Sequence, residues 1–188
     1  ALGLVKKVLV AQVLGTHLVD PVFEAPGAHA PLEVLLGIYG YAAQIYCDFS
    51  GYSDLATGSA LLLGYEFPLN FDAPYRARSP QEFWRRWHIS LSSWLRDYLF
   101  IPLGGSRQGS TSVNLLITMV LGGLWHGAGL TFLLWGLLHG VGLVVLRAWA
   151  QAGGAVARLR SARAGAFASV ALTFHFVCLG WVLFRAPT

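Results

Sequence analysis

Charged residues are scarce in this chain of 188 residues. Asp, Glu, Lys and Arg make up 12% of it and hydrophobic residues 55%, whereas an ordinary soluble domain carries roughly 25% charged residues. From Gln108 to Leu146 there is no Asp, Glu, Lys or Arg at all. A water-soluble fold could not bury apolar runs of this length, so we expect a membrane protein.

Cysteine is rare as well, and the two that occur, Cys47 and Cys178, lie in apolar segments without metal-ligand spacing. We interpret both as small core residues, and the sequence predicts no disulfide, no metal site and no bound cofactor. It predicts no nucleic-acid partner either, because basic loops facing a membrane explain the net charge of +4. The chain begins with neither Met nor a recognisable signal peptide, and we expect a piece of a longer protein.

Four apolar stretches are candidates for crossing a membrane, which takes about 20 residues. They run from Val8 to Val19, from Leu32 to Tyr65, from Val113 to Leu146 and from Ala166 to Phe184. The second is too long for one straight crossing and contains Asp48 and Asp54, which favours a tilted or broken helix. The third predicts two short helices joined near Gly127, with a turn that stops inside the membrane.

Basic residues orient these stretches, because loops rich in Lys and Arg stay on the cytoplasmic side. The positions predicted to be cytoplasmic are Lys6, Lys7, the stretch from Arg76 to Arg107, Arg147, Arg158, Arg160 and Arg163. The loop from Asp20 to Pro31 contains no Lys or Arg and is predicted to face outward.

The segment from Ser79 to Pro102 has the pattern of an amphipathic helix lying at the membrane surface. Ser at the N-cap, Pro at the first position and Glu at the third form a capping-box start. Aromatic and aliphatic residues then recur at helical spacing, with arginines on the other faces. The recurring apolar residues are Phe83, Trp87, Leu91, Trp94 and Tyr98.

His126 is the first candidate for chemistry, since it lies near the middle of the uncharged stretch. Ionisable groups inside a membrane are costly and mark functional sites. A desolvated imidazole is expected to be neutral and therefore free to act as a general base. The alternative interpretation is a histidine that only hydrogen-bonds a neighbouring helix. Trp125, Asn114 or Thr118 could supply a hydrogen bond to an oxyanion.

The other histidines are interpreted as structural. His139 is expected to be a packed, hydrogen-bonded ring, with a second catalytic role as the alternative. His17 and His29 lie at or beyond a membrane edge, and His175 is expected to be a packing residue.

Several motifs in one order give a more specific indication. They are QIYCDFSGYSD at 44–54, NF at 70–71, PYR at 74–76, FWRRWHISLS at 83–92, RDY at 96–98, PLGG at 102–105 and GGLWHG at 122–127. Together they resemble the membrane-bound O-acyltransferases, and within that family the alginate O-acetyltransferase branch. The resemblance implies an all-α fold: a polytopic membrane helical bundle with short or re-entrant helices and an interfacial amphipathic helix. Residues 1–188 would form the central to C-terminal part of that domain, without its N-terminal and last C-terminal helices.

The resemblance also implies an enzyme in a bacterial inner membrane that moves an acyl group, typically acetyl, from a cytoplasmic thioester to a hydroxyl of an exported polysaccharide. The donor would be acetyl-CoA or an acyl-carrier thioester. The partners would be other proteins that take part in polysaccharide acetylation outside the cytoplasm. His126 and His88 would form the active-site pair. Expected substrate or donor contacts are Arg76, Arg85, Arg86, Arg96, Asp48, Asp54, Trp125 and Asn114.

Other readings remain open at this point. The arginines could simply reflect the cytoplasmic bias of basic residues, and the two aspartates could form a structural cluster. Transfer of D-alanyl groups, or O-acylation of peptidoglycan, would use the same chemistry. A membrane transporter or a non-catalytic helical scaffold are alternatives of a different class.

Overall fold

The computed structural model describes residues 1–151 and 163–186, and every regular element in these ranges is helical. The helices are α1 Leu2–Glu24, α2 Pro31–Leu62, α3 Pro80–Arg86, α4 Ile89–Leu95, α5 Thr111–His126, α6 Leu130–Gln151 and α7 Arg163–Arg185. The predicted all-α fold is therefore confirmed. The chain divides into two compact units, Ala1–Asn70 and Phe71–Thr188. Arg158 and Arg160, which the sequence predicts to be cytoplasmic, lie outside the described residues.

Within residues 1–151 and 163–186, three helices are long and apolar enough to cross a membrane, namely α1, α6 and α7. A helix of 22 residues such as α6 spans about 33 Å, whereas the 16 residues of α5 span about 24 Å, short of a hydrocarbon core of about 30 Å. The prediction of two short helices is thus right for α5 and wrong for α6. The α6 helix continues past Arg147, because a long basic side chain at a helix end can reach the polar interface.

The first unit is a pair of helices whose charged side chains face each other. Lys6 Nζ lies 2.8 Å from Asp54 Oδ2, and Lys7 Nζ is paired with the Asp48 carboxylate. The sequence placed both lysines at the start of the first apolar stretch. In the structure they lie inside α1, because the aspartates of α2 neutralise them. Of the two alternatives that the sequence left open for α2, a tilted or a broken helix, the structure excludes the break, because α2 runs unbroken for 32 residues.

In the second unit, the predicted surface helix begins as expected, and α4 continues as a π-helix over Arg96–Phe100, close to the predicted end at Pro102. Ser79 Oγ accepts a hydrogen bond from the Glu82 backbone N–H at 3.1 Å, which confirms the N-cap. The chain then bends at Trp87 and His88, so that α3 and α4 are separate helices. The bend lets Trp87 enter the core while Tyr98 stays 70% exposed, and one straight helix would keep both on the same face.

Aromatic rings fill the core of this unit. Phe83 stacks on Trp87 with ring centroids 5.6 Å apart, and Trp87 lies 4.9 Å from Trp181 of α7. The Trp181 indole N–H donates to the Tyr75 hydroxyl at 3.2 Å. Because Trp87 directly precedes His88, this cluster fixes where the chain bends.

The α5 and α6 helices form a hairpin in which backbone meets backbone. A Cβ on Gly123 would lie 2.3 Å from the carbonyl oxygen of Phe132, and one on Gly136 would lie 2.4 Å from that of Met119. Such close approach to the backbone of the facing helix requires glycine at both positions, and small residues serve this purpose in membrane helices generally. The hairpin therefore fixes the position of the turn that follows His126.

Candidate active site

His126 is the last residue of α5, at the start of the turn to α6. Its half-buried ring lies 5.2 Å from the ring of Trp135 and 5.0 Å from that of Phe184, each measured between centroids and each edge to face. Within the described residues, no group hydrogen-bonds to its ring nitrogens. The imidazole is thus held by aromatic packing, and its nitrogens remain available to another molecule.

His88 occupies the bend between α3 and α4 in the left-handed backbone region, with φ of 44°. Outside glycine this conformation is uncommon and is concentrated at functional sites. Burial lowers the pKa of His88 to about 4, with a further lowering from the charge of His126. His88, which lies outside the candidate spans, is therefore neutral at pH 7 and close enough to His126 for their charges to interact.

Trp125 joins the two histidines. Its ring centroid lies 6.4 Å from that of His88 and 5.0 Å from that of His126, and its side chain is 62% exposed. The structure thus brings together three residues that the sequence predicted for the site. An exposed indole beside two imidazoles offers an apolar face to an arriving substrate.

His139 is packed as expected but lacks the expected hydrogen bond. The residue is fully buried, its ring lies 4.9 Å from Trp135, and neither ring nitrogen has a partner among the described residues. Since Trp135 also contacts His126, one indole separates the two imidazoles. His139 therefore supports the site from behind and does not face the same space as His126.

Asn114 and Thr118 lie on α5 but far from its last residue. Asn114 is twelve residues before His126, about 18 Å along the helix axis, and Thr118 about 12 Å. Asn114 Nδ2 donates to the Gly105 carbonyl at 3.0 Å, and the Thr118 hydroxyl donates to the Asn114 carbonyl at 2.7 Å. The structure does not bring either residue to the histidine pair.

The predicted arginines are in different environments. Arg86 is engaged by Glu82 at 2.9 Å and by Asp72 at 3.3 Å. Arg96 pairs with the adjacent Asp97 at 2.7 Å. Arg76 is exposed on the turn Pro74–Arg76. Arg86 therefore holds local structure, and the other two remain accessible.

A cavity of about 820 Å³ opens in the same unit. Its lining includes Arg85 and Arg96 and also Arg147, which the sequence did not single out as a ligand residue. Neither His88 nor His126 lines it. The second unit thus contains a histidine site and a separate arginine-lined cavity.

The remaining candidates lie elsewhere. Asp48 and Asp54 are in the first unit, in the ion pairs described above. His29 faces Glu33 at 3.4 Å, and His175 on α7 is exposed with Nδ1 2.7 Å from the Ala171 carbonyl oxygen. Residues 1–151 and 163–186 contain no group of three metal-ligating side chains. The sequence analysis did not predict Trp135 and Phe184 as neighbours of His126. The spacing of four residues between Trp135 and His139, which puts both on one face of α6, was the signal that could have indicated Trp135.

These features define a helical membrane protein whose candidate site is a pair of neutral-favouring histidines at helix ends, walled by aromatic rings. Residues 34–184 match the family model of the membrane-bound O-acyltransferases (MBOAT). The chain belongs to this family.

Curated relatives extend this finding. The chain is 46% identical over 186 residues to the probable alginate O-acetylase AlgI of Pseudomonas fluorescens, covering 98% of the chain and 36% of that protein. It is 42% identical over 188 residues to the peptidoglycan O-acetyltransferase of Helicobacter pylori, covering 99% and 35%. It is 32% identical over 160 residues to the teichoic acid D-alanyltransferase of Streptococcus thermophilus, covering 79% and 39%. The chain thus spans about a third of the length of these relatives.

Proposed function

We propose that the protein containing this chain transfers an acetyl group from a thioester to a hydroxyl of an exported polysaccharide, with His126 as general base. The observation that carries the proposal is the His126 ring, held by Trp135 and Phe184 with no hydrogen bond from the described residues. His139 lacks such a bond as well but is fully buried, whereas the half-buried ring of His126 can be reached by another molecule. Family membership favours this activity over a transporter or a scaffold.

In the proposed reaction, one ring nitrogen of His126 takes the proton of the acceptor hydroxyl while the hydroxyl oxygen attacks the thioester carbonyl carbon. The carbon–sulfur bond breaks, and the departing sulfur takes the proton from the imidazolium to leave as a thiol. General base catalysis of this kind contributes about 10²- to 10⁴-fold. A covalent acyl-imidazole is the alternative version of the same role.

The role proposed for His88 is to orient the donor as a neutral hydrogen-bonding group, since its pKa of about 4 keeps it uncharged. Trp125, which touches both rings, would contact the acyl group or the acceptor. Arg76, which is exposed on the turn Pro74–Arg76, would contact the donor's phosphates. Arg85 and Arg96 face the other cavity and are treated below.

The proposed donor is acetyl-CoA or an acyl-carrier thioester, and the proposed location is the inner membrane of a bacterium. Alginate is the acceptor we propose, because the relative at 46% identity is named as an alginate O-acetylase. Separate extracytoplasmic acetylation proteins would take part. Peptidoglycan is the second candidate acceptor, supported by the relative at 42% identity.

The test is His126→Ala in cells that export the polymer, with ester-linked acetyl on the polymer as the readout. We expect acetylation to fall by about 10²-fold or more while the protein level in the membrane is unchanged. His175→Gln, an exposed histidine outside the site, is the matched control. Acetylation that persists in the His126 variant would refute the base assignment.

The donor needs a separate experiment with labelled acetyl-CoA and a labelled acyl-carrier protein. Label should pass to the polymer from one of the two, and label from neither would remove the thioester proposal. Label retained on the protein before acceptor is added would favour the acyl-imidazole.

A further inference from the structure

The arginine-lined cavity lies at the opposite end of the α5–α6 hairpin from His126. It is bounded by α3 and α4, by the first half of α5 and by the last turns of α6. Thr111 in its wall is fifteen residues before His126, about 22 Å along the helix. The cavity is therefore a site apart from the histidine pair.

The lining is cationic on one part and apolar on another. It contains no Asp or Glu, and its guanidinium groups are those of Arg85, Arg96 and Arg147. In the part of the chain that the structure describes, neither Arg85 nor Arg147 has an ion pair or hydrogen bond. The apolar wall is formed by Trp84, Ile89, Leu115, Met119, Leu143 and Leu146. An anionic group joined to a hydrocarbon chain would complement both parts.

The position of Arg147 indicates the depth of this cavity in a membrane. It lies four residues before the end of α6, a helix just long enough to cross the hydrocarbon core. Its guanidinium group is therefore expected near the headgroup level. Basic pockets between membrane helices at that level bind the headgroups of anionic lipids.

We infer that this cavity binds an anionic phospholipid. The phosphate would be bound by Arg85 and Arg147, because guanidinium groups bind phosphate oxygens with paired hydrogen bonds, whereas the Arg96 guanidinium in the same lining is paired with Asp97. One acyl chain would lie along the apolar wall toward Met119. A volume of about 820 Å³ is within the range of roughly 300–1,000 Å³ that is typical of small-molecule sites.

Lipid binding can be measured on the purified, delipidated protein in detergent by native mass spectrometry. Phosphatidylglycerol and phosphatidylcholine with identical acyl chains are titrated in parallel. We expect phosphatidylglycerol to bind at least about tenfold more tightly, because only it carries a net negative charge. Neither acyl donor nor acceptor is present, so the outcome is independent of the proposed acyl transfer.

Substitutions then locate the binding. The double variant Arg85→Gln and Arg147→Gln should lose about tenfold or more in affinity for phosphatidylglycerol, whereas Arg147→Lys should keep the preference for it. Arg107→Gln removes an exposed arginine outside the cavity and should change nothing. The elution volume and melting temperature of each variant establish that it is folded.

Three results would overturn the inference. Equal binding of the two lipids, or equal loss in the Arg107 control, would mean that the arginines do not select a headgroup. Displacement of the bound phosphatidylglycerol by free coenzyme A would mean that the cavity belongs to the acyl donor.

Discussion

The two long helices of the first unit and the histidine site of the second unit hold their ionisable side chains in different ways. In Ala1–Asn70, two lysines on α1 meet two aspartates on α2, so each charge has a counter-charge. In Phe71–Thr188, His88, His126 and His139 are set among tryptophan and phenylalanine rings, and no carboxylate contacts His126 in the described residues. Paired charges hold helices together, whereas the His126 imidazole, packed against aromatic rings with no hydrogen bond from the described residues, can meet another molecule. The comparison places chemistry in the second unit and helix pairing in the first.

The largest effect on stability is expected at the contact between α5 and α6, where there is no space for a side chain. Gly123→Ala places a methyl group 2.3 Å from the Phe132 carbonyl oxygen and should destabilise the protein by about 3 kcal/mol, since the backbone cannot give way. Lower melting temperature and lower membrane level are the readouts. Gly58→Ala, where nothing lies within 4 Å, is the matched control; a Gly123 variant as stable as this control would contradict the hairpin geometry.

The two residues of each ion pair in the first unit should be energetically coupled. Asp54→Asn leaves Lys6 without its carboxylate and should cost about 1 kcal/mol, since the pair is partly exposed. The double variant Lys6→Gln with Asp54→Asn should recover much of that loss, because no charge is then left alone. A double-mutant cycle on melting temperature measures the coupling. Strictly additive effects would mean that the pair contributes nothing, and the contrast between the units would fail.

Asn114 distinguishes a structural amide from an oxyanion donor. Asn114→Ala removes the hydrogen bonds to the Gly105 and Gln108 carbonyls and should cost about 1–2 kcal/mol of stability. Acetyl transfer per folded molecule should stay within a few-fold of the unsubstituted protein. A rate loss comparable to that of His126→Ala, in protein of normal stability, would instead assign Asn114 to the reaction.

The smallest expected effect is on the titration of His88. A pKa lowered from 6.5 to about 4 means that the unfolded chain binds this proton at higher pH than the folded protein. Stability from this group is therefore complete above pH 6.5 and is lost as the pH falls toward 4. Nitrogen NMR of the labelled ring should show neutral imidazole at pH 5.5.

Replacing His126 sharpens this measurement. His126→Gln removes the minor charge contribution but leaves the burial that dominates, so the pKa of His88 should rise only slightly. A rise back to 6.5 would mean that the two rings are coupled far more closely than the structure indicates.

Much of this fold could be predicted from the sequence because the relevant signals are local. The Ser79 cap, the apolar runs of α1 and α7 and the turn after His126 each depend on a few consecutive residues. The errors fell where a distant partner decided the outcome. Lys6 does not end α1 because Asp54 neutralises it, and the amphipathic segment bends at His88 because Trp87 is drawn into a core that includes Trp181.

The site divides in the same manner. Composition and the order of the motifs determined by themselves that this is a helical membrane protein with His126 and His88 as its candidates, since hydrophobicity and motif spacing are properties of the chain alone. Only the tertiary structure decided that Trp125, Trp135 and Phe184 surround the histidines, that Asn114 is about 18 Å away along its helix, and that Arg147 joins Arg85 at one cavity. Those relations depend on how helices far apart in sequence pack, and packing is set by the close contact of Gly123 with Phe132 and by shared aromatic neighbours.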